Sequence, residues 1–564
     1  MRSEERNRAI ARINAAMAVP ALTGLGAAVL VYGLLVGPPW DGWLTGLQFL
    51  CVVAFVLLQL SKLLVAGRPL DYLRTRWLDF SMLAVLASQV FVYLGLSDTP
   101  EAAYLAARDV PDPTWALLVA VVQFYFLAIV AARSALANQL LLRLRLAPAQ
   151  MAVLSFGLLV SAGTVALLLP GCHREAPLSV VDALFTATSA GCVTGLVVVD
   201  TAGQFSKLGY GVLLALIQIG GLGVLTLTTA FAVFGGRRYV GRQEERLAEA
   251  IAEGDPADVR SLLRRILGVT FAIEAVGAAA LFWAWAPLFP DAVTRGGWAV
   301  FHAVSAFCNA GFSLFAGNAS LTGLVGDVPT NAVIAALIVL GGLGFVLLIR
   351  LGARVTRRDR TPLDWEQRAA LAMTAFLIVA GTLLLRGFEA ARTLAPLDGD
   401  TKWLASFFQS VTLRTAGFNS LDVAAFGLPA VLLAVAWMLI GGSPGGTAGG
   451  MKTTTAAALL PAALRGGGPG RDARRRAAGV ALTFLGSYAV VTLLLALSQG
   501  AFDRRVAFEA ASALGTVGLS MNLTPELTTA GKLVAAAAMF AGRVGPLVLA
   551  SALLKWEHNR GQLP

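Results

Sequence analysis

Four times along this chain a phenylalanine is followed ten residues later by a glycine, and the next residue is Leu or Phe. The copies are Phe185 to Gly195-Leu196, Phe301 to Gly311-Phe312, Phe407 to Gly417-Phe418 and Phe508 to Gly518-Leu519. A phrase used four times in an apolar chain implies one structural unit repeated around an axis. In a membrane protein such an axis is where a pore can lie.

The chain must be embedded in lipid for that argument to matter. Its 564 residues are 57% hydrophobic and 14% charged, and the mean hydropathy is +0.73. A soluble protein needs far more polar surface. The apolar runs reach the length needed to cross a hydrocarbon core about 30 Å thick. The opening Met1-Arg2-Ser3-Glu4-Glu5-Arg6 is too polar, and the first apolar run too long, for a cleaved secretory signal.

A net charge of +11 could suggest nucleic acid, but its distribution does not. Basic clusters fall in alternate loops: Lys62 to Arg76, Arg237 to Arg265, Arg354 to Arg368 and Arg465 to Arg476. Between them lie neutral or acidic loops, such as the one holding Asp98, Glu101, Asp109 and Asp112. This is the positive-inside pattern, and it predicts cytoplasmic N- and C-termini with no nucleic-acid partner. The four cysteines (Cys51, Cys172, Cys192, Cys308) have no CxxC spacing, and the three histidines (His173, His302, His558) are scattered. Neither a disulfide framework nor a metal cluster is expected.

The pattern predicts an all-α polytopic membrane protein. Four spans, about 17–36, 43–64, 77–95 and 114–136, form an accessory bundle over 1–145. The fourth carries only Arg133, too little for a voltage sensor. Four repeats follow, over 146–240, 241–355, 356–465 and 466–564, each a first span, a pore loop and a second span, with pseudo-fourfold symmetry. The first spans are about 149–170, 263–288, 370–387 and 478–498; the second are about 208–234, 329–351, 428–461 and 528–554. The segments between, such as 181–190 and 299–307, have about ten residues. Ten helical residues reach only about 15 Å, so they enter the membrane and return. Orientation has them enter from outside.

A cation leaving water must have its hydration oxygens replaced. Extended backbone whose carbonyls face an axis can do this, and glycine permits the turn. The candidate filter is Val193, Thr194 and Gly195; Asn309, Ala310 and Gly311; Thr415, Ala416 and Gly417; and Thr516, Val517 and Gly518. None is a carboxylate, so the filter reads as a backbone-carbonyl site for a monovalent cation. Arg414 is expected to point away from the pore and tie its loop to the surroundings. The four phenylalanines are expected to pack equivalently.

Glycine clusters mark every second span: 220–223, 341–344, 441–446 and 542–545. In the first two, close helix packing accounts for them. The third is different: Gly441, Gly442, Ser443, Pro444, Gly445, Gly446, Thr447, Ala448, Gly449 and Gly450 cannot form a regular helix in lipid. A break directly below a filter makes a gate. Arg543, buried in the fourth second span, is costly unless paired, and loop carbonyls are its natural partners; Lys452 is a second candidate for the same role. A phosphate-binding loop is the competing reading, but Met451 separates the last glycine from Lys452 and no soluble strand precedes. An intramembrane enzyme would need a buried catalytic constellation. Asp182 and Glu509 are read as the starts of pore helices, where carboxylates suit the helix dipole, and neither has an evident partner. A receptor or scaffold would leave the fourfold phrase unexplained.

Phe-Thr-Ala-Thr-Ser-Ala (185–190) with Val-Thr-Gly-Leu (193–196), Phe-His-Ala-Val-Ser-Ala-Phe (301–307) with Asn-Ala-Gly-Phe (309–312), and Arg-Thr-Ala-Gly-Phe-Asn (414–419) resemble the filters of the Trk/Ktr/HKT potassium-transporter superfamily. Residues 441–453 resemble its intramembrane gate loop, and Arg543 matches its fourth-unit arginine. The likeness spans about 145–555. It implies K⁺ as the transported ion, with Na⁺ or mixed Na⁺/K⁺ transport as the alternative. It implies no organic cofactor on this chain, a homodimer in the inner membrane of a bacterium, and a cytoplasmic TrkA/KtrA-like ring of regulatory subunits that bind NAD or ATP/ADP. A serine in place of the first filter glycine goes with sodium transport in that superfamily; all four positions here are glycine. The chain departs from the family in its four extra N-terminal spans and in Gly191-Cys192, where a bulkier pair is expected; it ends soon after the last span, so no fused regulatory domain is expected.

Overall fold

The computed structural model describes residues 148–174, 176–235, 259–355, 361–460 and 470–546. The accessory bundle expected over 1–145 lies outside these residues. The chain divides into two compact units, Met1–Arg145 with Leu169–Gly171, and Leu146–Leu168 with Cys172–Pro564. Everything below concerns the second.

Among the described residues the fold is helical, with two isolated bridges and no strand. The first phrase lies among α1 (Pro148–Leu167), α2 (Val180–Gly191) and α3 (Lys207–Gly235). The second phrase lies in α4 (Val259–Ala284), α5 (Ala292–Phe307), α6 (Val328–Leu343) and α7 (Phe345–Val355). The third lies in α8 (Trp365–Phe388), α9 (Gly399–Thr412), α10 (Leu428–Leu439) and α11 (Thr453–Leu459). The fourth lies in α12 (Arg471–Gln499), α13 (Arg504–Gly515) and α14 (Thr529–Val544).

Local chemistry sets where the short helices begin. Ser179, Asp291, Asp398 and Asp503 each sit in extended backbone and accept an N–H from the first turn of α2, α5, α9 and α13. Each cap satisfies a donor that the helix cannot. The buried run follows: residues 183 and 185–191 in α2, and 508–515 in α13.

Each short helix packs on the long helix before it, α2 on α1, α5 on α4, α9 on α8 and α13 on α12. Each also meets the helix that ends the preceding phrase: α5 meets α3, α9 meets α6, α13 meets α10, and α2 meets α14. The last contact closes the series into a ring.

Helix segments Arg264–Ala284, Trp365–Phe388 and Ala473–Gln499 are long and apolar enough to cross a membrane, and the bent pair α6 and α7 makes a fourth if counted as one span. Their outer faces expose Phe271, Val276, Trp283, Phe376, Val379, Leu493 and Leu497. A soluble surface does not carry such rows; lipid solvates them.

The second spans depart from expectation. They pack closely through small residues, as at Gly220, Gly221 and Gly341, but they are not continuous helices. The backbone of α3 leaves the helix at Gly223 (φ 76°). Gly344 (φ 93°) separates α6 from α7, which turns away by 109°. Gly545 (φ 95°) ends α14. A left-handed residue cannot continue a right-handed helix, and glycine adopts that conformation without steric cost. In the third copy Pro444 holds the corresponding position, and the break widens into the non-helical stretch 440–452.

Candidate functional site

The four phrases end in loops of one build. Two residues before each glycine the backbone is left-handed, at Val193 (φ 57°), Asn309 (59°), Thr415 (65°) and Thr516 (49°), and it is left-handed again at Gly195, Gly311, Gly417 and Gly518. For Val or Thr that conformation costs about 1–2 kcal/mol, and the surrounding packing holds it. The next side chain, Leu196, Phe312, Phe418 or Leu519, is no more than 2% exposed.

The glycines are neighbours in chain order. A methyl group on Gly311 would lie 2.8 Å from the Gly417 Cα; on Gly417, 3.2 Å from the Gly518 Cα; on Gly518, 3.1 Å from the Gly195 Cα; and on Gly195, 3.1 Å from the Gly311 Cα. The carbonyl oxygens of Thr194, Ala310, Ala416 and Val517 point at the glycine of an adjacent loop. Only hydrogen fits at these four positions. Above the ring lies a cavity of about 100 Å³ bordered by all four glycines. Its polar side chains are hydroxyls and carboxamides, including Ser313, Asn318, Asn419 and Ser520, and among the described residues no carboxylate lines it.

Side chains of the short helices hold three of the loops. The N–H of Gly195 donates to Ser189 Oγ at 3.0 Å, that of Gly518 donates to Ser512 Oγ at 3.1 Å, and Ser305 Oγ donates to the Phe312 carbonyl at 2.8 Å. Sequence reasoning missed these serines. The signal was present: each stands six residues before its glycine, and Val411 replaces it only in the third copy. That copy is the deviant one. Its helix α9 stops at Thr412, and Ala416 N donates to Thr412 O, four residues back, where the other loops reach five back. Phe185, Phe301 and Phe508 are buried, but Phe407 is 37% exposed and Phe408 takes the buried place. The expected equivalence of the four phenylalanines therefore fails in the third copy. Arg414 turns away from the ring, and its Nη2 donates to Thr374 Oγ1 of α8 at 3.2 Å.

Directly against these loops lies the stretch 440–452. Residues 441–443 and 447–449 are buried, Pro444 is exposed and the rest are partly buried. Ser443 N donates to Gly342 O at 2.8 Å, Thr447 N to Gly341 O at 3.1 Å, and Phe345 N to Gly445 O at 3.0 Å. The stretch thus satisfies backbone groups that the break at Gly344 leaves without helical partners. Thr447 Oγ1 donates to Phe307 O at 3.0 Å, and Gly449 N to Thr415 Oγ1 at 3.0 Å. Gly449 also packs on Thr516 Oγ1 so closely that a side chain would collide. Gly441, Gly442, Gly446 and Gly450 face backbone or small side chains at similar range.

Arg543 reaches this stretch from α14. Its Nη1 donates to Thr447 O and its Nη2 to Gly220 O of α3. Lys452 folds back on its own loop, and its Nζ donates to Ala448 O at 2.9 Å. The two cations therefore do different work: Arg543 ties the loop to another helix, and Lys452 stiffens the loop itself.

Two acids depart from expectation. Glu509 lies mid-helix in α13, because that helix starts at Arg504, and it accepts from Ser520 Oγ and Thr524 Oγ1. Asp182 does lie in the first turn of α2, but it has a partner: Lys532 Nζ of α14, at 2.5 Å. Sequence distance hid both.

Long apolar helices ringed about glycine loops define a helical membrane protein. The family model TrkH, described as a cation transport protein, matches residues 118–465, and the chain belongs to this family. It is 36% identical over 441 residues to the Ktr system potassium uptake protein B of Bacillus subtilis (strain 168), covering 74% of this chain and 96% of that one. It is also 36% identical to the potassium/sodium uptake protein NtpJ of Enterococcus hirae, covering 73% and 94%. The solved potassium transporter TrkH from Vibrio parahaemolyticus shares the fold, with a TM-score of 0.58 at 20% identity over 84% of this chain and 97% of that one.

Proposed function

We propose that this chain takes up potassium through one pore whose filter is the ring of glycine loops. The fold is then four repeats of first span, pore loop and second span. The ions are held by backbone carbonyls over Val193–Gly195, Asn309–Gly311, Thr415–Gly417 and Thr516–Gly518. The observation that carries the reading is the cyclic contact of the four glycines, with a carbonyl of the adjacent loop at each. Four inward carbonyl strands around a side-chain-free axis can replace the water around a monovalent cation. A mouth without carboxylates argues against a divalent one.

Beneath the filter, the stretch from Gly441 to Gly450 is the gate. It contacts the second, third and fourth loops, and Arg543 ties it to the first through Gly220. Releasing Arg543 from Thr447 O frees the loop to leave the axis. The release is driven by a cytoplasmic ring of nucleotide-binding subunits acting on a homodimer, one pore per protomer, in a bacterial inner membrane with both termini cytoplasmic.

Purified protein in liposomes tests the reading. K⁺ and Rb⁺ should pass and Na⁺ should be discriminated against; equal passage of Na⁺ would overturn the potassium preference. The Enterococcus relative is a potassium/sodium uptake protein, which favours mixed transport as the second reading. Fluxes under imposed Na⁺ and pH gradients separate the two.

A further inference from the structure

Nine residues before each loop glycine the four copies differ: Thr186, His302, Phe408 and Glu509. All four are buried. Two residues after each glycine stand Val197, Ser313, Asn419 and Ser520. In the second and fourth copies these two positions are bonded to each other.

The chemistry of His302 is fixed by its neighbours. Nδ1 lies 2.8 Å from the Trp298 carbonyl, which can only accept, so Nδ1 carries the ring proton. Nε2 is then an acceptor. It takes the N–H of Leu314 at 3.3 Å and the hydroxyl of Ser313 at 3.1 Å. Trp285, Trp298 and Phe315 wall the ring, with centroids 5.0, 5.9 and 5.4 Å away. In the fourth copy Glu509 takes the place of His302. It accepts from Ser520 Oγ at 2.9 Å and from Thr524 Oγ1. Ser520 Oγ in turn accepts the N–H of Leu523 at 3.2 Å and of Thr524 at 3.4 Å.

The other two copies lack the device. Thr186 Oγ1 makes no hydrogen bond and Val197 is apolar; in the third copy, where Phe408 takes the place of the other phenylalanines, Gln409 stands where His302 and Glu509 do, and neither its Oε1 nor its Nε2 has a hydrogen-bond partner. The Asn419 side chain stays within its own region, Nδ2 donating to Leu421 O at 3.2 Å, while its backbone meets the second copy, N donating to Ser320 Oγ at 3.1 Å and O accepting from Leu321 N at 2.9 Å. The glycine order around the ring runs 195, 311, 417, 518, so the two bonded copies are diagonal partners. Ser313 and Ser520 both border the cavity above the ring.

We propose that His302 and Glu509 are a diagonal pair of positioning residues. Through Ser313 and Ser520 they latch the outer ends of two opposite filter strands to their short helices, and so hold the filter at the width that prefers K⁺ over Na⁺. The proposal rests on the filter reading above. A carbonyl cage whose strands are free can contract on the smaller ion; one tied to a helix cannot without breaking the tie. The third strand is tied at the same place to Ser320 and Leu321 of the second copy, and the two latches tie the second and fourth strands to their own short helices.

The test is the K⁺/Na⁺ flux ratio of full-length protein in liposomes, with K⁺ saturation measured in parallel. S313A and S520A remove the latch hydroxyls without touching the buried helices, and both serines are half-buried beside the cavity. Each should lower the ratio by about threefold or more, with maximal K⁺ flux held within about twofold. The double variant should fall further. S313T and S520T keep a hydroxyl and should restore the ratio. E509Q keeps the shape and one acceptor and should be intermediate. T186V, at the matching unlatched position, should leave the ratio unchanged. A wild-type ratio in both serine variants and in E509Q overturns the proposal, as does an equal loss in T186V. If the wild-type protein itself does not prefer K⁺, the filter reading fails instead.

Discussion

The glycine loops and the layer beneath them come from equivalent stretches of the four copies, yet they keep different symmetry. In the loops, the left-handed residues, the buried residue after glycine and the mutual glycine contacts recur four times. In the layer below, the same position is a glycine kink at Gly223, Gly344 and Gly545 but Pro444 in a thirteen-residue excursion. Gly220, Gly341 and Gly542 each press on the last carbonyls of a short helix, those of Gly191, Phe307 and Leu514; Gly441 presses on Gly449 of its own loop. Ion coordination needs equal walls, because every carbonyl must offer the same distance. Control needs one wall that can move alone.

The largest expected effect breaks the fourfold part. In G417A, a Cβ at φ 82° would lie 2.6 Å from Val517 O and 2.9 Å from Gly311 Cα. K⁺ flux should fall about tenfold or more, and folding should lose at least the ~1–2 kcal/mol of a left-handed Cβ, with the backbone overlap adding to it. Liposome flux together with thermal unfolding separates these.

Next comes the asymmetric part. R543Q removes two charge-assisted hydrogen bonds, each worth about 1.5–3 kcal/mol. If they hold the closed loop, basal K⁺ flux without any regulator should rise by about tenfold or more. Unchanged basal flux would show that the loop does not limit conduction. T447V keeps the carbonyl that Arg543 grips and deletes the bond to Phe307 O. One neutral hydrogen bond of about 1 kcal/mol should raise the leak only about threefold to fivefold. A leak as large as that of R543Q would move the main tie to the hydroxyl.

The Asp182–Lys532 pair joins the fourth copy to the first at partial exposure, 19% for each side chain. A double-mutant cycle on thermal stability should return about 1 kcal/mol or less. The smallest effect concerns two exposed caps. The Thr401 hydroxyl beside Asp398 and the Thr294 hydroxyl beside Asp291 hold both carboxyls below the ordinary 3.8. An acid whose folded pKa is depressed stabilises above its ordinary value and loses that contribution as pH falls through the lower one. The contribution of these caps to the melting temperature should therefore be full and independent of pH near neutrality, and D398N should matter least at the acid end.

Much of the site was legible because its code is local. Gly195, Gly311, Gly417 and Gly518 sit at fixed distances from short apolar helices, and the glycine-rich run at 441–450 cannot be helix wherever it lies. The kinks at Gly223 and Gly344 were misread as packing, because close approach and left-handed backbone both select glycine and the sequence does not separate them. Phe407 broke register because the loop after α9 closes over four residues where the others close over five, so the buried phenylalanine is Phe408; the loss of a serine at Val411 was the hint.

By itself the sequence determined an apolar helical chain, four copies of one loop, and a third copy unable to complete its last span. These follow from hydropathy, from repetition and from the φ preferences of glycine and proline, which act over a few residues. Only the tertiary structure decided the partners. Arg543 meets Gly220 across 323 residues, Lys532 meets Asp182 across 350, and Gly518 abuts Gly195 to close the ring. Such contacts depend on how the chain returns upon itself, and no local preference encodes which carbonyl a guanidinium will find there.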